Sequence, residues 1–205
     1  IRERLARAGL AMGGYALCPA NFWPHKNHER LLRAVAASPL AAEASFQLVL
    51  CGAIEDGRRE VEALAGSLGL AARVLLLGYQ KDEELTALLQ GARLLVLPSL
   101  FEGFGIPVVE GLRLGVPVAC SDLPAHREVG GDAVLTFDPV DETSLREALA
   151  CLWTNESLRQ KLSRLGLARA AGFPSGPVAG RFAEVLLAVT RTADAPISAG
   201  QRFSS

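Results

Sequence analysis

The chain has 205 residues, half of them hydrophobic, with a mean hydropathy of +0.25. That is enough apolar material for one sizeable core, so one domain, or one domain plus a tail, is expected. The 21 basic and 22 acidic residues leave a net charge of −1. No basic surplus points to nucleic acid, no charge run points to a polyanion, and no apolar run is long enough to span a membrane.

Ile1-Arg2-Glu3-Arg4 opens the chain charged, with no signal-peptide core behind it, which fits a cut or processed product. The first strand is expected at 15–18, leading into a loop and then a helix at 28–37 with Leu31, Leu32 and Val35 on one face. The second strand is expected at 46–51. A helix follows at 59–68, apolar at 61, 64, 65 and 68, and closes near Gly69. A third strand is expected at 74–77, then a helix at 82–92 with Asp82 as its N-cap. Leu94-Leu95-Val96-Leu97, closed by Pro98, is the fourth strand, and a loop leads from it into a helix ending near Leu114. Strands five and six are expected at 116–120 and 133–137, with helices at 142–152 and 156–170. Near-continuous apolar strands alternating with helices imply an α/β fold, a Rossmann-like open parallel sheet covered on both faces. Phe173-Pro174-Ser175-Gly176-Pro177 breaks the chain before a last apolar helix at 178–189, and a disordered tail is expected from 191 onward.

Cys18, Cys51, Cys120 and Cys151 form no C-x-x-C pair. They read as small hydrophobes rather than metal ligands or thiol nucleophiles. Reduced thiols fit a cytosolic setting.

Most of the chemistry lies between Phe101 and Glu110. Two carboxylates, Glu102 and Glu110, stand eight positions apart, with Gly103, Phe104 and Gly105 just after the first. The order is strand, glycine loop, helix start. Backbone N–H groups at such a start favour a phosphate, and glycine lets an anion come close. A carboxylate beside that anion can accept from sugar hydroxyls. The pairing suggests a sugar nucleotide. The plain alternative is a solvated loop carboxylate and a carboxylate opposite a helix dipole.

This segment resembles the E-x7-E motif of the retaining glycosyltransferases of family 4, or group 1, which have the two-domain GT-B fold. The resemblance runs from about Tyr15 to Phe173. Its further landmarks are Pro24-His25-Lys26-Asn27, Leu77-Gly78-Tyr79, Gly115-Val116-Pro117-Val118 and Phe137-Asp138-Pro139. It implies that this chain is the C-terminal, donor-binding half: 1–14 the end of an interdomain connection, 15–173 the nucleotide-sugar-binding domain, and 174–190 a helix returning to a missing N-terminal half. The acceptor, a glycan or lipid-linked sugar, would sit mostly on that half. The chain alone is then expected to bind donor and transfer little, and the apolar face of its last helix to be exposed or covered by a partner. The implied location is cytoplasmic, with any peripheral membrane contact made through the missing half, in polysaccharide synthesis.

The resemblance also implies roles. Lys26 meets the donor diphosphate, where a charge-assisted contact is worth roughly 1.5–3 kcal/mol. The family often has an arginine five positions earlier. Here that position is Asn21, which can donate a hydrogen bond but brings no charge. His25 either supplies part of that charge or helps cap the helix. Glu110 holds the ribose diol and Glu102 faces the transferred sugar. The N–H groups of Phe104, Gly105 and Ile106 cradle the distal phosphate or sugar hydroxyls, while the Phe104 side chain is expected to pack. Tyr79 and Gln80 lie near the nucleobase.

Transfer with retention is implied, either through Glu102 as nucleophile or by front-face attack with Glu102 and Lys26 stabilising charge. No D-x-D triad and no His/Cys cluster with metal spacing occurs, so no cofactor and no metal is expected. Two other readings stand beside this one. One is a noncatalytic nucleotide-sugar-binding or assembly module. The other is a GT-B enzyme such as a sugar-nucleotide epimerase, which would need an acid/base pair not seen here. The donor sugar, its GDP or UDP base, the acceptor and the oligomeric state have no motif in the chain.

Overall fold

Residues with branched or long apolar side chains in unbroken runs become strands at the centre of this molecule. The structure, a computed structural model, describes residues 1–53 and 57–173. Six strands form one sheet: β1 (Ala16–Pro19), β2 (Leu48–Cys51), β3 (Val74–Leu77), β4 (Leu94–Leu97), β5 (Val118–Ser121) and β6 (Leu135–Phe137). Every pairing is parallel, in the order β3-β2-β1-β4-β5-β6. This is the Rossmann order, with its switch point between β1 and β4. Every residue of β2, β4 and β5 is buried, as expected of strands covered on both faces.

Eight α-helices are described: α1 (Arg2–Arg7), α2 (His28–Ala36), α3 (Gly57–Ser67), α4 (Asp82–Gly91), α5 (Ile106–Arg113), α6 (Pro124–Gly130), α7 (Glu142–Thr154) and α8 (Glu156–Ala170). Strand side chains alternate between two faces. Ala16, Cys18, Leu48, Leu50, Leu94 and Val96 join Leu31, Leu32 and Val35 of α2 and Leu145, Leu149 and Leu152 of α7 in one core. Trp153 closes that core edge-on to Phe46, 4.8 Å away, under the Arg93 guanidinium. Its Nε1 donates to Glu43. On the opposite side α5 packs against α8.

Residues 1–171 form one contact unit. The second unit, 172–205, falls almost wholly outside the described residues, as do the expected return helix and tail. The segment expected as an interdomain connection contains α1, which packs on α4 through buried Leu5 and through Arg4 paired with Glu83 and Glu84. Asp82 is not the cap of α4. Lys81 holds that position and makes no side-chain capping bond, while Asp82 starts the first turn. The short α6 has no counterpart in the sequence reading.

One close approach joins the β1 and β2 rims. A Cβ on Gly52 would lie 2.4 Å from Ala20 O and 2.8 Å from Asn21 Cα, all backbone. Gly52→Ala therefore has to separate the two loops. We expect a loss of about 1–3 kcal/mol, seen as a lower denaturant midpoint at an unchanged slope.

Candidate functional site

Parallel strands place all their C-terminal loops on one rim. The β1 loop carries Asn21 to Asn27, the β2 loop Gly52 and Ala53, the β3 loop Tyr79 and Gln80, and the β4 loop Ser99 to Gly105. At the switch point the β1 and β4 loops diverge, and their side chains meet across the gap. Lys26 Nζ donates to Glu102 Oε1 at 2.7 Å, with both side chains 15% exposed.

Local structure holds that contact. Pro24, His25 and Lys26 form a single 3-10 turn, and Asn27 follows with φ of 60°. Asn27 Nδ2 donates to the carbonyls of Pro98 (2.9 Å) and Pro139 (3.0 Å). Leu100 N donates to the His25 carbonyl at 2.7 Å. These bonds tie the Lys26 turn to the loops after β4 and β6. His25 itself stacks, tilted, on Trp23.

Glu102 Oε1 also accepts from Ser99 Oγ at 2.7 Å. No bond to its Oε2 is found among the described residues, so that oxygen's acceptor capacity is unused. Burial pushes the Glu102 carboxyl upward. The hydrogen bonds from Lys26 and Ser99, with the Lys26 charge and His126 nearby, outweigh it and hold the group below the usual range. Glu110, about one turn into α5, is the opposite case. Burial, with Asp82 adding to it, raises its pKa, and no hydrogen bond to its carboxylate is found among the described residues.

A cavity of about 300 Å³ opens between Lys26 and Glu110, lined by Asn21, Lys26, Cys51, Tyr79, Gln80, Ile106 and Glu110 among others. Asn21 Oδ1 accepts from Ala53 N at 2.8 Å. Its oxygen is therefore engaged by the backbone, and no bond from its Nδ2 is found among the described residues. Tyr79 is 71% exposed at the mouth. Gln80 donates to the Gly78 and Tyr79 carbonyls. The Cys51 thiol on the floor is pushed up to about 12 by burial and by Glu110, so it stays neutral.

Gly105 caps α5 with φ of 86°, a left-handed backbone that suits glycine. Pro107, lacking an N–H, sits in the first turn. Phe104 does not pack into the core: it is 53% exposed, as are Phe101 and Ile106 to a greater degree. Ser99, Trp23 and His126 escaped the sequence reading. A larger hollow, about 920 Å³, lies between α2 and α3 and is lined by Phe22, Trp23, His28, Glu60 and Val61. It shares Trp23 with the rim cavity, and neither is lined by Glu102, Gly103, Phe104 or Gly105.

Of the four cysteines, Cys18, Cys51 and Cys120 are buried and all are free thiols, while Cys151 is exposed on α7. Among the described residues, no three His, Cys, Asp or Glu side chains gather as a metal ion requires. No described helix is long and apolar enough to cross a membrane.

A Rossmann-like sheet with a lysine–carboxylate pair at the switch point and a second carboxylate on the adjoining cavity defines a class, and comparison with known proteins names it. The profile of the glycosyl transferases group 1 family matches residues 11–168, and the chain belongs to that family. It is 34% identical over 180 residues to O-antigen chain mannosyltransferase B of Escherichia coli, covering 82% of this chain and 44% of that protein. Sucrose-phosphate synthase from Thermosynechococcus elongatus superposes with a TM-score of 0.80 at 22% identity, over 94% of this chain and 49% of that one. Anabaena HepE, solved in complex with UDP and glucose, gives 0.79 at 21% identity, over 91% of this chain and 52% of that one. The fold is thus the Rossmann-like unit of the GT-B glycosyltransferases. The chain spans about half the length of these relatives.

Proposed function

We propose that this chain is the donor-binding half of a retaining glycosyltransferase, which moves a hexosyl group from a GDP- or UDP-linked sugar to a glycan or lipid-linked acceptor held by a second, N-terminal half. A mannosyl group is the first candidate, because the E. coli relative is named as a mannosyltransferase. The observation that carries the reading is Lys26 in contact with Glu102 across the switch point, beside the cavity that Glu110 lines.

Each residue then has a task. An ammonium has three donors. One of Lys26's goes to Glu102 and the others face the diphosphate, joined by the N–H groups of Phe104, Gly105 and Ile106. Glu110 accepts from the ribose diol, a pair of donors that meets its unfilled carboxylate. Tyr79 and Gln80 border the base. Asn21 Nδ2 donates to a phosphate oxygen in place of a charged clamp. Glu102 Oε2 accepts from a hydroxyl of the transferred sugar.

In the reaction, the bond from the anomeric carbon to the diphosphate oxygen breaks. A bond from that carbon to the acceptor oxygen forms, and the acceptor proton passes to the leaving phosphate. The hydrogen bonds that lower the Glu102 pKa also make it a poor nucleophile and a weak base. This supports the front-face route, with Glu102 and Lys26 stabilising charge. Lys26 and the loop N–H groups take the place that a metal ion fills in other transferases.

Calorimetric titration with UDP, GDP, UDP-glucose and GDP-mannose in the presence of EDTA tests this. One nucleotide and its sugar conjugate should bind in preference to the other pair. Binding that disappears with EDTA would remove the metal-free part of the proposal. No binding of any of the four would remove the donor site.

A further inference from the structure

His126 is a buried titratable group that the roles above leave unused. It lies on α6 with no exposed surface, its ring directly beneath the glycine loop. A Cβ placed on Gly105 would come within 3.0 Å of His126 Cδ2 and 3.5 Å of its Nε2. Nδ1 lies 2.8 Å from the Ser121 carbonyl oxygen. A carbonyl only accepts, so Nδ1 carries the proton, and in the neutral ring Nε2 is a bare acceptor.

Nε2 is buried and has no hydrogen-bond partner among the described residues. An unmet buried acceptor is costly and calls for a cause. The loop above it has open space at Gly103, where a Cβ would meet nothing within 4 Å. Burial lowers the His126 pKa, against the Ser121 bond and Glu102, which raise it; Lys26 adds to the lowering. The ring is therefore neutral at pH 7. A bare lone pair repels phosphate oxygens and accepts from a hydroxyl.

We propose that His126 Nε2 accepts a hydrogen bond from one hydroxyl of the sugar carried by the bound nucleotide, once the Gly103–Gly105 loop settles around that sugar. This makes His126 a specificity-determining residue for the donor. The inference rests on the donor-site reading above. A site built to bond a hydroxyl rejects the analogue that lacks it, because the buried acceptor is then left empty.

The test compares each nucleotide with its sugar conjugate. In His126→Phe, which keeps an aromatic ring and removes the acceptor, the Kd of UDP or GDP should stay within about threefold. The Kd of UDP-glucose or GDP-mannose should rise roughly 5- to 30-fold. His126→Asn, which keeps an acceptor, should recover part of the difference. With the wild-type chain, one member of a series of monodeoxy-sugar nucleotides should show the same loss, and that loss should vanish in His126→Phe. The deoxy series needs no variant that might misfold.

Equal weakening of nucleotide and conjugate would mean a packing role and overturn the inference, as would no change in either or a uniform deoxy series. So would proton uptake on nucleotide binding that His126→Phe removes, since that marks an imidazolium on phosphate. If the wild-type chain binds neither nucleotides nor conjugates, the donor-site reading itself falls. If it binds them and the ratio does not move, only the role of His126 falls.

Discussion

Lys26→Ala weakens binding of the preferred nucleoside diphosphate by roughly 1.5–3 kcal/mol, about ten- to a hundredfold in Kd. This is the largest single effect expected. Lys26 is the cation that meets Glu102 at the switch point, and removing it takes a charge-assisted contact from the diphosphate. The same change leaves Glu102 with Ser99 alone on its bonded oxygen, so fold stability also falls. The two effects separate in a double variant. Lys26→Ala with Glu102→Gln removes the stranded carboxylate, so it should recover stability and leave the nucleotide affinity low. If the double variant recovered affinity as well, Lys26 would be serving Glu102 and not the ligand. Isothermal titration and denaturant melts on the same four proteins read both quantities.

Glu110→Gln weakens nucleotide binding by roughly tenfold or more and at the same time stabilises the free protein at neutral pH. The opposite signs follow from one fact: Glu110 is half-buried, and no hydrogen bond to its carboxylate is found among the described residues. A ribose diol would supply the missing donors. Without it, burial raises the folded-state pKa. A carboxyl raised in the folded state binds its proton more tightly there. It favours folding below the unfolded pKa, and that contribution is lost as the pH climbs through the folded value. At pH 7 the ionised Glu110 therefore opposes folding, and the neutral amide does not. The wild-type chain should gain stability relative to Glu110→Gln as the pH falls through the carboxylate range. Melting curves at pH 4.5 and pH 7 check the sign. A variant that loses affinity and stability together would show Glu110 to be a packing residue.

The parts of the fold that could be read from the chain are those where one physical signal dominates. The fourth strand ends where Pro98 cannot continue it, and the third ends at Gly78, so both expected ranges match β4 and β3 to the residue. Strands two, five and six were drawn too long at their starts. Phe46 and Gln47, Val116 and Pro117, and Ala133 and Val134 look like strand but precede the first paired residue, and pairing is a property of the neighbour's register. Two helices left no usable signal. α1 has a single buried apolar residue, Leu5, in a charged segment. α6 spans seven residues from Pro124 to Gly130, too few for a periodic pattern.

The site divides the same way. Asn21, Lys26, Tyr79, Gln80, Ile106 and Glu110 line one cavity, as their places after parallel strands suggested. Glu102 joins them through Lys26, whereas Gly103, Phe104 and Gly105 do not line the cavity, which meets this segment only from Ile106 onward. His126 could not be found from sequence, because a lone histidine on an unseen helix has no spacing to read. Its partners are a carbonyl five residues back and a glycine 21 positions earlier. Ser99 was missed because its one hydrogen bond to Glu102 depends on the loop's path.

The most direct test of the account is a crystal structure of the chain with UDP-glucose or GDP-mannose bound. The diphosphate should lie between Lys26 Nζ and the N–H groups of Phe104 to Ile106, with the ribose diol on Glu110 and the base beside Tyr79. A nucleotide seated instead in the larger hollow between α2 and α3, clear of Lys26 and Glu110, would contradict it.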